Sequence, residues 1–228
     1  MSDEIIYNKW ISSELPNKDD NFTDLSTTFK VVNDAFVQTE WNQYIKFIDV
    51  TLNDYIKSMH TCEININDIF YRGRPGVHSK IEEIKAPPAE NAKGGRLNPV
   101  GLPMLYIASD INTCLYEVHQ EPDTRITVGK FTPKKDLTLL DLTHEQNLKK
   151  QTNDFRKIIS ENFSLPVTIS EKIFEYLPTQ LIALYIKDYL QYDGVKYPSS
   201  LISTGYNVVL FDVNSCNIEL LKEEFKAK

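Results

Sequence analysis

Beyond Asn67 the chain breaks into short apolar runs of four to six residues, each bounded by Gly, Pro, Asn or Asp, and this texture demands a core built on a sheet. The runs cover residues 69–72, 104–108, 126–131, 137–142 and 208–212, each too short to be a buried helix and ordinary in length for a strand. Helical spacing appears between them. Ser109 is placed to cap a helix whose positive end favours Asp110, with Ile111, Cys114, Leu115 and Val118 as its apolar stripe and Glu117 off that stripe. Residues 144–162 and 178–190 read as two further helices. Strands interleaved with helices predict an α+β fold for residues 67–228.

Residues 1–66 have a different pattern and are expected to form a helical N-terminal extension. Trp41, Tyr44, Ile45, Ile48, Leu52, Tyr55, Ile56 and Met59 recur at three- and four-residue steps over residues 41–59. Leu25, Phe29, Val32 and Phe36 suggest an earlier helix over residues 24–36. With 228 residues and 41% hydrophobic content, there is apolar material for one sizeable core plus such an appended layer.

Composition removes several classes of function. The formal charge of −7 has the wrong sign for general binding to nucleic acid through phosphate neutralisation, and suits a basic partner better. No window approaches the ~18 consecutive apolar residues of a membrane helix. The first ten residues show no apolar run after a basic start, so a cytoplasmic protein is expected. Three widely spaced cysteines, Cys62, Cys114 and Cys216, fit neither a disulfide framework nor a metal knuckle, and His60, His78, His119 and His144 lack ligand spacing, so no metal site is expected.

Chemistry concentrates in four places. In Tyr71-Arg72-Gly73, an arginine ends an apolar strand beside a glycine, offering a rigid fork of donors to phosphate or carboxylate. The longest irregular stretch, residues 73–102, holds Gly94-Gly95-Arg96-Leu97-Asn98, where a second guanidinium and an amide stand on a glycine-rich loop that is not a P-loop. Tyr106 lies in the next strand and Glu117 on the helix after it, so ring and carboxylate can face one cleft and serve a flat heterocycle and a developing positive charge. In Tyr197-Pro198-Ser199-Ser200, a serine can hydrogen-bond phosphate or ribose, while no histidine motif makes it a nucleophile.

Taken in order, Tyr71-Arg72, Gly95-Arg96-Leu97-Asn98-x-x-Gly101, Leu105-Tyr106 with Glu117, Gly194-x-x-Tyr197-Pro198-Ser199 and Gly205-x-Asn207-x-x-Leu210-Phe211 resemble the RES domain family, across about residues 68–214. The resemblance implies a fold similar to ADP-ribosyltransferase toxins and a toxin of a bacterial toxin–antitoxin pair, restrained by an Xre-like antitoxin. Such a toxin consumes NAD⁺ as substrate, with no further cofactor, by breaking the nicotinamide–ribose bond in favour of water, phosphate or a protein. It also implies catalytic roles for Arg72, Glu117 and Ser199, with Ser200 an alternative to Ser199, and substrate contacts from Tyr71, Arg72, Arg96, Asn98, Tyr106, Glu117 and Ser199. The family often carries Trp where this chain has Leu97. The N-terminal segment is expected to bind the antitoxin, to mediate homo-oligomerisation or to complete the core. Two rival expectations are a protein ADP-ribosyltransferase using the same cleft, and a nucleotide-binding interaction module without chemistry.

Overall fold

The computed structural model describes residues 52–118, 121, 123–164, 176–222 and 224–226. The expected helix over residues 24–36, the first part of the one over 41–59, and His119 lie outside the described residues. The chain forms helix α1 (Asn53–Lys57), strands β1 (Thr61–Ile64), β2 (Phe70–Pro75) and β3 (Leu105–Ala108), helix α2 (Ile111–Glu117), strands β4 (Arg125–Pro133) and β5 (Leu137–Asp141). Helices α3 (Lys150–Ser164) and α4 (Leu177–Leu184) follow, then β6 (Gly194–Pro198), β7 (Tyr206–Leu210), β8 (Cys216–Leu220) and β9 (Phe225–Lys226).

Among the described residues all nine strands join one sheet in the order β1-β5-β6-β7-β3-β2-β4-β8, with β9 also on β4. Among these strands only the β5–β6 pair is parallel. A parallel pair needs a crossover, and here α3 and α4 supply it. Residue alternation divides the sheet cleanly. Leu140, Val195, Tyr197, Val209 and Phe211 pack with Phe155, Ile159 and Phe163 of α3 and Leu181 and Ile182 of α4. Leu139, Val208, Leu210, Leu105 and Ile107 form a second cluster with Phe70, Ile84 and Phe131. Each fully buried Phe or Leu in these layers contributes about 1.5–3 kcal/mol. The fold is therefore α+β, as expected.

The details correct several sequence expectations. β2 continues to Pro75 because β4 pairs with it from Phe70↔Phe131 to Pro75↔Ile126, holding as strand what composition marks as irregular. β6 lacks an unbroken apolar run, yet pairing with β5 on one side and β7 on the other makes it a strand. The helix expected from residue 144 starts at Lys150, after Asn147 takes a positive φ of 61°. α4 ends at Leu184 and runs into a π-helical turn, Tyr185–Tyr189, whose Tyr185 hydroxyl donates to Asn53 Oδ1 at 2.7 Å.

Residue 66, the expected end of the extension, falls just after β1, and β1 is hydrogen-bonded to β5 from Thr61↔Leu140 to Ile64↔Leu137. Leu52, Ile56 and Met59 are buried in the same cluster as α3, with Tyr55 against Phe155 at 5.8 Å between ring centroids. The described end of the N-terminal segment thus completes the core. Among the described residues no helix is long and apolar enough to cross a membrane.

Candidate active site

A split in the sheet makes the site. β2 and β3 pair at a single position, Tyr71↔Ala108, and then part. Arg72 spans the gap: its Nη1 donates to the Tyr106 carbonyl at 2.9 Å and its Nε to the Ile84 carbonyl at 3.1 Å. Two backbone carbonyls thereby fix the guanidinium plane and leave its remaining N–H groups for a guest. Burial, followed by the repulsion of Arg74, pushes the Arg72 pKa down to about 10, so it stays charged at neutral pH. A cavity of about 320 Å³ opens in the split, with Tyr71, Arg72, Gly73, Tyr106, Cys114, Glu117, Tyr197 and Asn207 among its walls.

Helix α2 carries Glu117 to this cavity. Its N-cap is Asp110, one residue past the expected Ser109, and Asp110 accepts from the Thr113 backbone N–H at 2.9 Å and from the Thr113 hydroxyl at 2.6 Å. Ser109 supports the cap by donating to Asp110 at 2.8 Å. Burial pushes the Asp110 carboxyl up, but hydrogen bonds from Thr113 and Ser109 outweigh it and hold it below the usual range. Gly205 lets the β6–β7 turn lie on this helix, because a Cβ there would sit 2.1 Å from Thr113 Oγ1.

Ser199 reaches Glu117 from that turn and Asn207 from β7 just after it. The Ser199 hydroxyl donates to Glu117 Oε1 at 2.7 Å, and Asn207 Nδ2 donates to the same oxygen at 2.8 Å. Ser199 Oγ also accepts from the backbone N–H groups of Leu201 and Ile202, each at 3.2 Å. Ser200 turns away and donates to the Ser164 carbonyl at 2.8 Å. Of the two serines, Ser199 is therefore the one on the carboxylate.

The glycine-rich loop backs the other wall. The Tyr106 hydroxyl donates to Asn98 Oδ1 at 2.7 Å, while Asn98 Nδ2 donates to the Lys93 carbonyl at 3.0 Å. Burial raises the Tyr106 pKa, so its ring faces the cavity as a neutral surface. Gln180 of α4 donates to the Gly95 carbonyl at 2.7 Å, and Thr179 donates to the Arg96 carbonyl. Leu97 is fully buried in the helical cluster, so its side chain anchors the loop. Arg96 itself lies beside the cavity walls: its Nη1 donates to the Asn162 carbonyl at 2.8 Å, and its guanidinium stands 5.0 Å over the Tyr176 ring.

The structure brings Tyr71, Arg72, Tyr106 and Glu117 to one cavity, with Ser199 behind Glu117 and Asn98 behind Tyr106. Arg96 lies outside that lining. Sequence reasoning missed Tyr197, Cys114 and Asn207 as walls. A signal existed for Asn207, a polar residue within Tyr-Asn-Val-Val-Leu, whose burial requires a hydrogen-bonding partner. Burial drives the Cys114 thiol up to about 12 despite the nearby Arg72 charge, so it is a neutral wall. Among the described residues no three His, Cys, Asp or Glu side chains gather as a metal site.

Together these elements make an α+β domain with a cavity in a split mixed sheet, lined by an arginine held on two backbone carbonyls and a hydrogen-bonded glutamate. The model of the RES domain matches residues 71–224, and the chain belongs to that family. Comparison with curated proteins returns no match. Among solved structures, a chain in the crystal structure of the M. tuberculosis MbcT–MbcA toxin–antitoxin complex is similar at 18% identity, over 76% of this chain and 90% of that one, with a TM-score of 0.43.

Proposed function

We propose that this protein cleaves the bond between nicotinamide and ribose in NAD⁺, passing the ADP-ribosyl group to water or phosphate. The observation that carries this reading is the pairing of Arg72 and Glu117 across one cavity, each already held by hydrogen bonds from its own surroundings. Preorganised charges of this kind stabilise a transition state without reorganising during the reaction.

The bond to nicotinamide breaks with its electron pair going to the pyridinium nitrogen, which leaves as neutral nicotinamide. The ribose becomes an oxocarbenium-like cation, as in glycoside hydrolysis. Glu117 meets that positive charge with its carboxylate: Ser199 and Asn207 engage Oε1, which leaves Oε2 for the ribose. Arg72 binds the diphosphate with the N–H groups its two carbonyl acceptors leave over. Tyr71 and Tyr106 offer rings to the flat nicotinamide. Arg96 adds a second positive charge near the hydroxyls of Tyr106 and Tyr197 and steadies the loop that holds Tyr106.

Draining NAD⁺ harms the cell that makes the enzyme unless the activity is held in check. The proposal therefore includes the toxin role that the family resemblance implies, and a cognate antitoxin protein as partner. Purified protein incubated with NAD⁺ and analysed by chromatography is expected to release nicotinamide. ADP-ribose as co-product identifies water as acceptor, and its 1-phosphate identifies phosphate. Absence of nicotinamide from folded protein, with and without phosphate, defeats the reading. Label from NAD⁺ appearing on lysate proteins would favour the transferase instead.

A further inference from the structure

We propose that Asn207 is a positioning residue for this cleavage: its side-chain amide and the Ser199 hydroxyl clamp one oxygen of Glu117 and turn the other toward the cavity. The inference deepens the proposed function and rests on that reading for its kinetic consequence.

Both donors belong to one hairpin. Tyr197 of β6 pairs with Asn207 of β7, and the Ser199 N–H donates to the Gly205 carbonyl at 3.0 Å, closing the turn between them. Asn207 also pairs with Ala108 of β3, so its backbone is locked on both sides. Its amide reaches Glu117 Oε1 at 2.8 Å from a buried position that also lines the cavity. An ionised carboxylate only accepts, so the amide must present its NH₂ to Glu117. Ser199 is locally committed as well, accepting from Leu201 and Ile202. A hydroxyl rotates freely about its bond whereas an amide is planar, so Asn207 sets the direction of the carboxylate and Ser199 completes the pair.

Among the described residues, the other charged or titratable groups lining the cavity with Glu117 are Tyr71 and Arg72 from β2, Tyr106 from β3, Cys114 from its own helix and Tyr197 from β6. Arg72 is charged to about pH 10, Cys114 is neutral to about 12, and burial raises Tyr197 well above its ordinary range. None of the three titrates on the acid side of neutrality.

The test uses the full chain in two arms. With ¹⁵N-labelled asparagine, the Asn207 side-chain amide of wild type should show the downfield proton of a hydrogen bond to carboxylate, and Glu117→Ala should abolish it. In kinetics, Asn207→Leu keeps the forked shape of the side chain but removes the donor, and kcat should fall about 10²-fold with KM nearly unchanged. Asn207→Asp places a second carboxylate beside the first, and the two share a proton, so the acid limb should move to higher pH. Melting curves check that each variant folds, and Asn207→Leu carries the kinetic arm if the aspartate variant does not. An Asn207 amide signal indifferent to Glu117→Ala overturns the clamp, as does a folded Asn207→Leu enzyme with kcat within about twofold of wild type. If wild type releases no nicotinamide, the proposed function falls, and the amide signal alone decides whether Asn207 positions Glu117.

Discussion

Arg72 and Arg96 have similar local sequence, each beside a glycine, the first at the start of the longest irregular stretch and the second within it, yet the fold treats them differently. Arg72 is carried by a strand where the sheet splits, and its side chain takes the place of ladder hydrogen bonds that β2 and β3 do not make. Arg96 rides on a loop and braces it against the end of α3 through the Asn162 carbonyl. Both are cations, but only the first is a wall of the cavity. An arginine next to glycine signals a place where a guanidinium and a ligand can come close; which backbone carbonyls it meets determines whether it binds the guest or the scaffold.

Substitutions at the two sites should therefore separate. The largest loss is expected from Arg72→Lys, which keeps the charge but cannot reach the Ile84 and Tyr106 carbonyls together while presenting a fork to the diphosphate. Nicotinamide release should drop about 10³-fold, the upper range for losing a preorganised donor. Chemical denaturation should show a loss of about 1–3 kcal/mol from the carbonyl left unsatisfied. Gly95→Ala comes next: a Cβ there would lie 2.6 Å from Asn98 Oδ1, the acceptor for the Tyr106 hydroxyl. Denaturation should register a cost of about 1–3 kcal/mol, as for other overpacked sites, and turnover should fall less than for Arg72→Lys. Arg96→Lys should be milder, with a loss below about tenfold expressed in KM, since a lysine keeps the charge while giving up the planar contact over Tyr176. A kcat collapse in Arg96→Lys equal to that of Arg72→Lys would erase the distinction.

The smallest effect lies away from both arginines. Lys196 of β6 donates to Asp141 of β5 at 3.0 Å and sits 4.8 Å over the Tyr206 ring, across the parallel pair. Burial pushes the Asp141 carboxyl up, but hydrogen bonds from Thr143 and Lys196 outweigh it and hold it low. Its contribution to stability is thus complete above the unfolded value of about 3.9 and is lost as pH falls through the lower folded value. Burial alone would lower the Lys196 pKa, but Asp141 raises it, so the lysine's contribution is complete below about 10.4 and is lost as pH rises through the folded value. Asp141→Asn should lower the Tm at neutral pH and flatten its fall in acid, while leaving nicotinamide release within about twofold of wild type, as for other sites remote from the chemistry.

Much of this was legible in the residues. The runs that became β3, β4, β5 and β7 were visible because each is apolar and ends at turn residues, and α2 because its stripe continues to Val118. β6 was obscured by Gly194, Lys196 and Pro198, and forms because neighbours pair on both sides, a long-range cause that no local window contains. β1 was hidden in a segment read as helical. Tyr106 and Glu117 could be placed in one cleft from their order along strand and helix, whereas Arg72 joined them only through the family resemblance. The Asn207 contact was not legible, since it depends on a hairpin folding back onto a helix ninety positions earlier in the chain.

The central claim is that Glu117 provides charge, not merely shape, in a cleft whose arginine is already in place. The direct measurement is nicotinamide release by wild type and Glu117→Gln, alongside NAD⁺ affinity of each by calorimetry. The account predicts turnover reduced about 10³-fold in the variant, with affinity within a few-fold of wild type, because an amide fills the same space without stabilising a cation. Wild-type turnover from folded Glu117→Gln would contradict it.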